Sequence, residues 1–145
     1  MCYYNMKLSV GVIVKKVVIA ATIMLLLDIS FIQFNLALFS KQIEDVQGRP
    51  PKLKMSGAIL CYASMIFALY WFIIRRDAPI IDAFILGASL NAVYEFTNYT
   101  FFNNWRPEIV VMDILWGGVL FSTTTYLTNL SYDSISDLFW FIGIV

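Results

Sequence analysis

Four long apolar runs separated by short polar punctuation constrain this 145-residue chain more than any other feature. A helix needs about 20 residues to cross the hydrocarbon core of a bilayer. Four such crossings use most of the length and leave no room for a separate soluble domain. The runs cover about residues 16–39, 55–74, 80–102 and 108–128, followed by a tail over 129–145. Composition agrees: 60% of residues are hydrophobic, 14% are charged and the mean hydropathy is +0.75. Soluble domains run closer to half apolar and a quarter charged. The apolar runs are continuous and lack the period of two that marks a membrane barrel. The expected fold is therefore all-α, an integral membrane four-helix bundle forming one domain over residues 1–145, with a short amphipathic or apolar C-terminal tail.

Punctuation and charge place the ends of the runs. Lys15 and Lys16 stand where their ammonium groups can snorkel at the start of the first span, and Trp71, Arg75 and Arg76 close the second. Trp105 and Arg106 lie in the turn NNWRP, which is so short that the third and fourth spans must form an antiparallel hairpin. Pro107 suits a first helical turn, where its missing N–H costs nothing. The stretch SKQIEDVQGRPPKLK reads as a polar loop, in which Gly48, Pro50 and Pro51 end any helix. The apolar residues at the end of the tail are too few to span and are expected at the interface, on the bundle or against a partner. The lysine-interrupted N-terminal stretch shows no small-residue cleavage pattern and reads as a retained span. Cys2 is a weak candidate for acylation. Orientation stays open: Lys7, Lys15, Lys16, Arg75 and Arg76 fall on one side, and Lys41, Arg49, Lys52, Lys54 and Arg106 on the other.

Polar residues inside the runs carry the chemistry. An ionised carboxylate at the centre of a spanning helix costs about 2.5–3.5 kcal/mol even on a lenient scale, so Asp28, Glu95 and Asp113 are expected to face inward. Counting 1.5 Å per residue from the NNWRP turn puts Glu95 roughly 10 Å deep and Asp113 roughly 8 Å deep. The same count puts Asn98 and Asn35 at about 6 Å and Asp28 at about 16 Å. Asn91, Glu95 and Asn98 share a helical face, as do Asp28 and Asn35, and Asp113, Gly117 and Thr124. Gly57, Cys61, Ser64 and Ala68 form a small-residue face on the second span, and Gly87, Gly117 and Gly118 are further positions for close helix packing. Burial and a second carboxyl group both disfavour ionisation, so at least one acid is expected to carry its proton at neutral pH. Arg106 is the only cation placed to reach Glu95 or Asp113. Trp116 is expected to pack on the polar layer or to donate its indole N–H to an acid.

Several function classes drop out. The charge balance of ten basic to ten acidic residues, without a basic aromatic patch, gives no reason to expect nucleic acid. With no histidine, the usual zinc sites and Ser-His or Cys-His nucleophiles are excluded. The intramembrane acids lack the GxGD motif of intramembrane aspartyl proteases. A carboxylate-dependent lipid enzyme is a remote reading, because the acids lie at membrane depth. No metal or other cofactor is expected.

The blocks Tyr94-Glu95-Phe96-Thr97-Asn98, then Trp105 with Pro107, then Asp113-Ile114-Leu115-Trp116-Gly117 resemble the small four-span membrane proteins known as domain of unknown function 2177. Leu27-Asp28 fits the start of the same pattern, and the likeness extends to about Thr128. Glu95 stands where aspartate is commoner and Phe31 where tryptophan is expected, and the tail departs from the pattern. The resemblance implies a fold and a set of motif residues, without a reaction; depth, helical phase and these motifs together give a polar intramembrane cluster of Asp28, Asn35, Asn91, Glu95, Thr97, Asn98, Asp113 and Trp116. Because such proteins occur in bacteria and in large DNA viruses, a viral inner membrane or a host membrane is an expected location. Two roles follow. One is structural or assembly work, with the bilayer, copies of the chain, or capsid and membrane proteins meeting the 41–54 loop and the 129–145 tail. The other is a proton or cation pathway through the buried carboxyl groups.

Overall fold

In a computed structural model, the backbone is described for residues 10–141 and the side chains for residues 10–134. Cys2 and Lys7 lie outside these residues, as do the side chains of the end of the tail. Helix α1 spans Val10–Phe34, α2 Leu36–Gln47, α3 Met55–Phe72, α4 Ile80–Phe101 and α5 Pro107–Phe141. A single 3-10 turn, Ile74–Arg76, follows α3. No strand occurs among the described residues, and four helices are long and apolar enough to cross a membrane. The protein is an all-α, multi-pass integral membrane protein.

The first spanning helix is shorter at its far end than the apolar run of 16–39, because the chain breaks at Asn35. Asn35 leaves the helical region with φ −108° and ψ 14°, and its amide donates to Phe31 O at 2.9 Å. A short polar side chain that bonds its own backbone competes with helix continuation. The chain then re-enters helix as α2 and stops at Gly48, whose φ of 69° is the left-handed conformation that favours glycine. Much of the expected 41–54 loop is therefore helix. Residues 41–47 have side chains that suit a helix, and a charged outer face conceals the inner one. Only residues 48–54 form an extended connection.

At the other end of the sequence, α5 runs through Ser134 and on to Phe141 without a break, so the tail begins as a continuation of the fourth span and not as a separate element. Its 35 residues measure about 52 Å at 1.5 Å per residue, against a hydrocarbon core of about 30 Å. The helix is longer than that core is thick.

The helices pack mainly as α4 on α5, α5 on α1, and α1 on α3. Their tight end lies towards the α3–α4 connection. There Ala20 and Met24 of α1, Leu69, Ile73 and Ile74 at the end of α3, Ala83 of α4, and Leu120 and Phe121 of α5 form one buried apolar cluster. At Gly87 and Gly117 the backbones of α4 and α5 come close: a Cβ on Gly87 would lie 2.1 Å from Gly117 O, and one on Gly117 2.5 Å from Asn91 Cγ. Only glycine permits this approach. Gly118 meets the ring of Phe84 in the same way, at 2.6 Å. The expected small-residue face of α3 does not pack. Gly57 has nothing within 4 Å, Cys61 and Ser64 are exposed, and Ala68 is half-buried. Helix α3 joins the bundle instead through Met65, Ile66, Leu69 and Tyr70.

Candidate functional site: a carboxyl-lined cavity under an amphipathic helix

At the opposite end the helices separate around a cavity of about 310 Å³. The break at Asn35 governs its composition. Asp28 lies six residues before the end of α1, Glu95 six before the end of α4, and Asp113 six after the start of α5. Each is therefore about 9 Å from its helix end. Asp28 is level with the other two, not several ångströms deeper, because the first span ends at Phe34. All three acids line the cavity together with Asn91, and no Lys or Arg is among the lining residues.

Each acid has defined partners. Asp28 accepts from two helices at once: Tyr62 of α3 donates its hydroxyl at 2.5 Å, and Trp116 of α5 its indole N–H at 2.8 Å. The Trp116 ring is stacked on Phe31, with centroids 4.1 Å apart. Glu95, only 2% exposed, accepts the indole N–H of Trp105 at 2.7 Å. Asn91 donates to Asp113 twice, to its backbone oxygen at 2.9 Å and to its carboxyl at 3.2 Å. Glu95 and Asp113 line the same cavity from neighbouring helices.

Not every polar residue of the sequence pattern joins this group. Thr97 is exposed and donates to Val93 O of its own helix at 2.6 Å. Asn35 is occupied with the helix break, and Asn98 is half-buried outside the cavity lining. Trp105 is buried as the partner of Glu95 and so is not an interface anchor. Arg106 does not reach the buried acids; its guanidinium pairs with Asp45 at 2.8 Å. At the far membrane face, Trp71 stacks beneath Arg75, whose guanidinium carbon is 4.2 Å from the ring centroid, and Arg76 lies 5.6 Å from the ring of Phe72. Lys16 reaches the ring of Tyr132, at 4.8 Å. Lys15 is exposed near the start of α1.

The roof of the cavity is absent from the sequence reading. Phe39, Gln42 and Ile43 of α2 line it from above. Gln42 is 1% exposed, and its side chain uses both ends: Nε2 donates to Asn104 O at 3.1 Å, and Oε1 accepts from the Arg106 backbone N–H at 3.2 Å. Asn104 in turn donates to Asp45 O at 3.2 Å. Asp45 also pairs with Lys41 on its own helix. These bonds strap α2 to the α4–α5 turn. The available signal was the spacing of Phe39, Gln42 and Ile43, which share one face of a helix; the charged residues around it masked that periodicity.

No curated protein and no solved structure matches the chain. The sequence profile of one family, described as predicted membrane protein (DUF2177), matches residues 13–130. This span holds all four candidate crossings in whole or in large part, the carboxyl-lined cavity and the strap above it. The chain belongs to that family of membrane proteins.

Proposed function

We propose that the protein binds and conducts protons through the carboxyl groups of Asp28, Glu95 and Asp113. The observation that carries this reading is a cavity at membrane depth lined by three acids with no basic residue to neutralise them. Intramembrane acids are costly and commonly mark ion or proton pathways. In purified protein reconstituted into liposomes, an imposed pH gradient should drive proton uptake, and Glu95→Gln should abolish it without loss of helical content. Absence of uptake by the unmodified protein would remove the proposal.

A second reading has its own support. The indole and phenol donors to Asp28 and Glu95 join different parts of the fold, as they would in a structural or assembly protein, including one of a viral inner membrane. Hydrogen bonds of this kind are worth only about 0.6 kcal/mol each on average in membranes. On this reading, crosslinkers placed at Lys52 or Asp133 should capture defined protein neighbours in the native membrane. Capture of lipid alone would count against it.

A further inference from the structure

Hydroxyl groups in spanning helices ordinarily donate to the carbonyl one turn back, and this chain follows that habit widely. Thr22, Ser30, Ser64, Thr97, Thr100, Ser122, Thr125 and Ser134 all bond the carbonyl four residues earlier. Thr124 and Thr128 break it. Both are fully buried, at 0% exposure, and neither Oγ1 has a hydrogen-bond partner among the described residues. They are one turn apart on α5, and the amide oxygen of Asn129 beside them is also buried and unpartnered. Leaving a buried hydroxyl unbonded costs about 1–3 kcal/mol, so three unpartnered polar atoms within six residues need an explanation. Small buried polar groups of this kind are the usual partners of internal water.

Position gives the niche its meaning. Thr124 lies eleven residues, about 16 Å, beyond Asp113 along α5, in the other half of the membrane. Gly117 lies between them on the same face. Between Asp113 and Thr124 along α5 stands Phe121, fully buried in the apolar cluster, with its Cβ 2.8 Å from where a side chain on Gly87 would begin. One turn beyond Thr128, Tyr132 carries Lys16 against its ring at the far end of the bundle. Along α5, Phe121 thus separates the acid that lines the cavity from the two buried threonines.

We infer that Thr124, Thr128 and Asn129 form a second, water-holding half-path, and that Phe121 is the barrier between it and the carboxyl cavity. The inference rests on the proton-conducting reading and adds the route. A hydronium ion reaching the niche passes its proton along hydrogen-bonded water and hydroxyls when Phe121 moves aside. An ionised carboxyl of the Glu95–Asp113 pair accepts the proton, and a water molecule is left behind. No other reactant is needed.

The test is proton uptake into liposomes holding a pH-sensitive dye, with a potassium diffusion potential as the driving force. Phe121→Ala should raise uptake at least tenfold by removing the barrier. The double variant Thr124→Val, Thr128→Val, which keeps side-chain shape, should lower uptake at least tenfold in both the unmodified and the Phe121→Ala background. Thr124→Ser with Thr128→Ser, which keeps the hydroxyls, should restore it. If the unmodified protein conducts and Glu95→Gln stops it, but the valine pair and Phe121→Ala change nothing, the route is wrong and the carboxyl reading stands. If neither the unmodified protein nor Phe121→Ala conducts, both are overturned. Circular dichroism and gel filtration of each variant identify those that fail to fold.

Discussion

Trp105 shows how a single residue can look like one thing in sequence and be another in the fold. An aromatic residue at the end of a spanning run has the position of an interface anchor, yet its ring is buried and its N–H is bonded to Glu95. Trp105→Phe keeps the packing and strips the carboxyl of its donor, which should cost about 1–3 kcal/mol, read as a lower midpoint in thermal or detergent unfolding. Tyr62→Phe and Trp116→Phe should each cost less, about 0.5–1.5 kcal/mol, since Asp28 keeps its other donor. The glycines give a sharper contrast. Gly87→Ala sets a Cβ against the Gly117 carbonyl and should destabilise by about 1–3 kcal/mol. Gly57→Ala meets open space and should stay within about 0.5 kcal/mol of the unmodified protein. Both glycines sit in apolar runs, and nothing local tells them apart. The difference is the neighbouring backbone, which sequence spacing does not contain.

At the scale of elements, α2 is the part that the sequence conceals and the cavity depends on. Asp45 is its clasp. The hydrogen bond from Lys41, and after it that from Arg106, hold the Asp45 carboxyl below its ordinary value of 3.8, with some desolvation acting in the opposite direction. The sign follows from linkage: a depressed native value means that the charged clasp stabilises the fold above about pH 4, and that this contribution fades as pH falls through the lower native value. Amide exchange over residues 36–47, corrected for intrinsic rates, should accelerate between pH 5 and about pH 3. Asp45→Asn should remove that pH dependence and raise exchange at neutral pH. Gln42→Ala should loosen the same helix at every pH, because the bonds it removes are uncharged. Only Gly48 among the turn signals of residues 41–54 marked a true helix end, since the C-cap needs a positive φ whatever the tertiary surroundings.

For the whole molecule, four crossings place residues 48–54 on one side of the bilayer and the turn at Arg75 and Arg76 on the other. Cysteines introduced at Lys52 and at Arg76, in a background with Cys2 and Cys61 replaced by serine, should therefore label from opposite sides with a membrane-impermeant thiol reagent. Labelling from one side would contradict the four-crossing topology. The even split of cations gives no basis for saying which side is which, and this experiment supplies it. The four helices of spanning length and the all-helical class were determined by the sequence alone, because hydrocarbon forces every backbone polar group to be bonded within its own segment. So was the inward tendency of the acids, because their desolvation is too costly at a lipid-facing position. The tertiary structure decided the rest. The helix break at Asn35 brought Asp28 level with Glu95 and Asp113, the close approach at Gly87 and Gly117 closed one end of the bundle, and α2 was clasped over the other. Each of these depends on which surfaces meet, and helical periodicity specifies a face without naming the partner it will find.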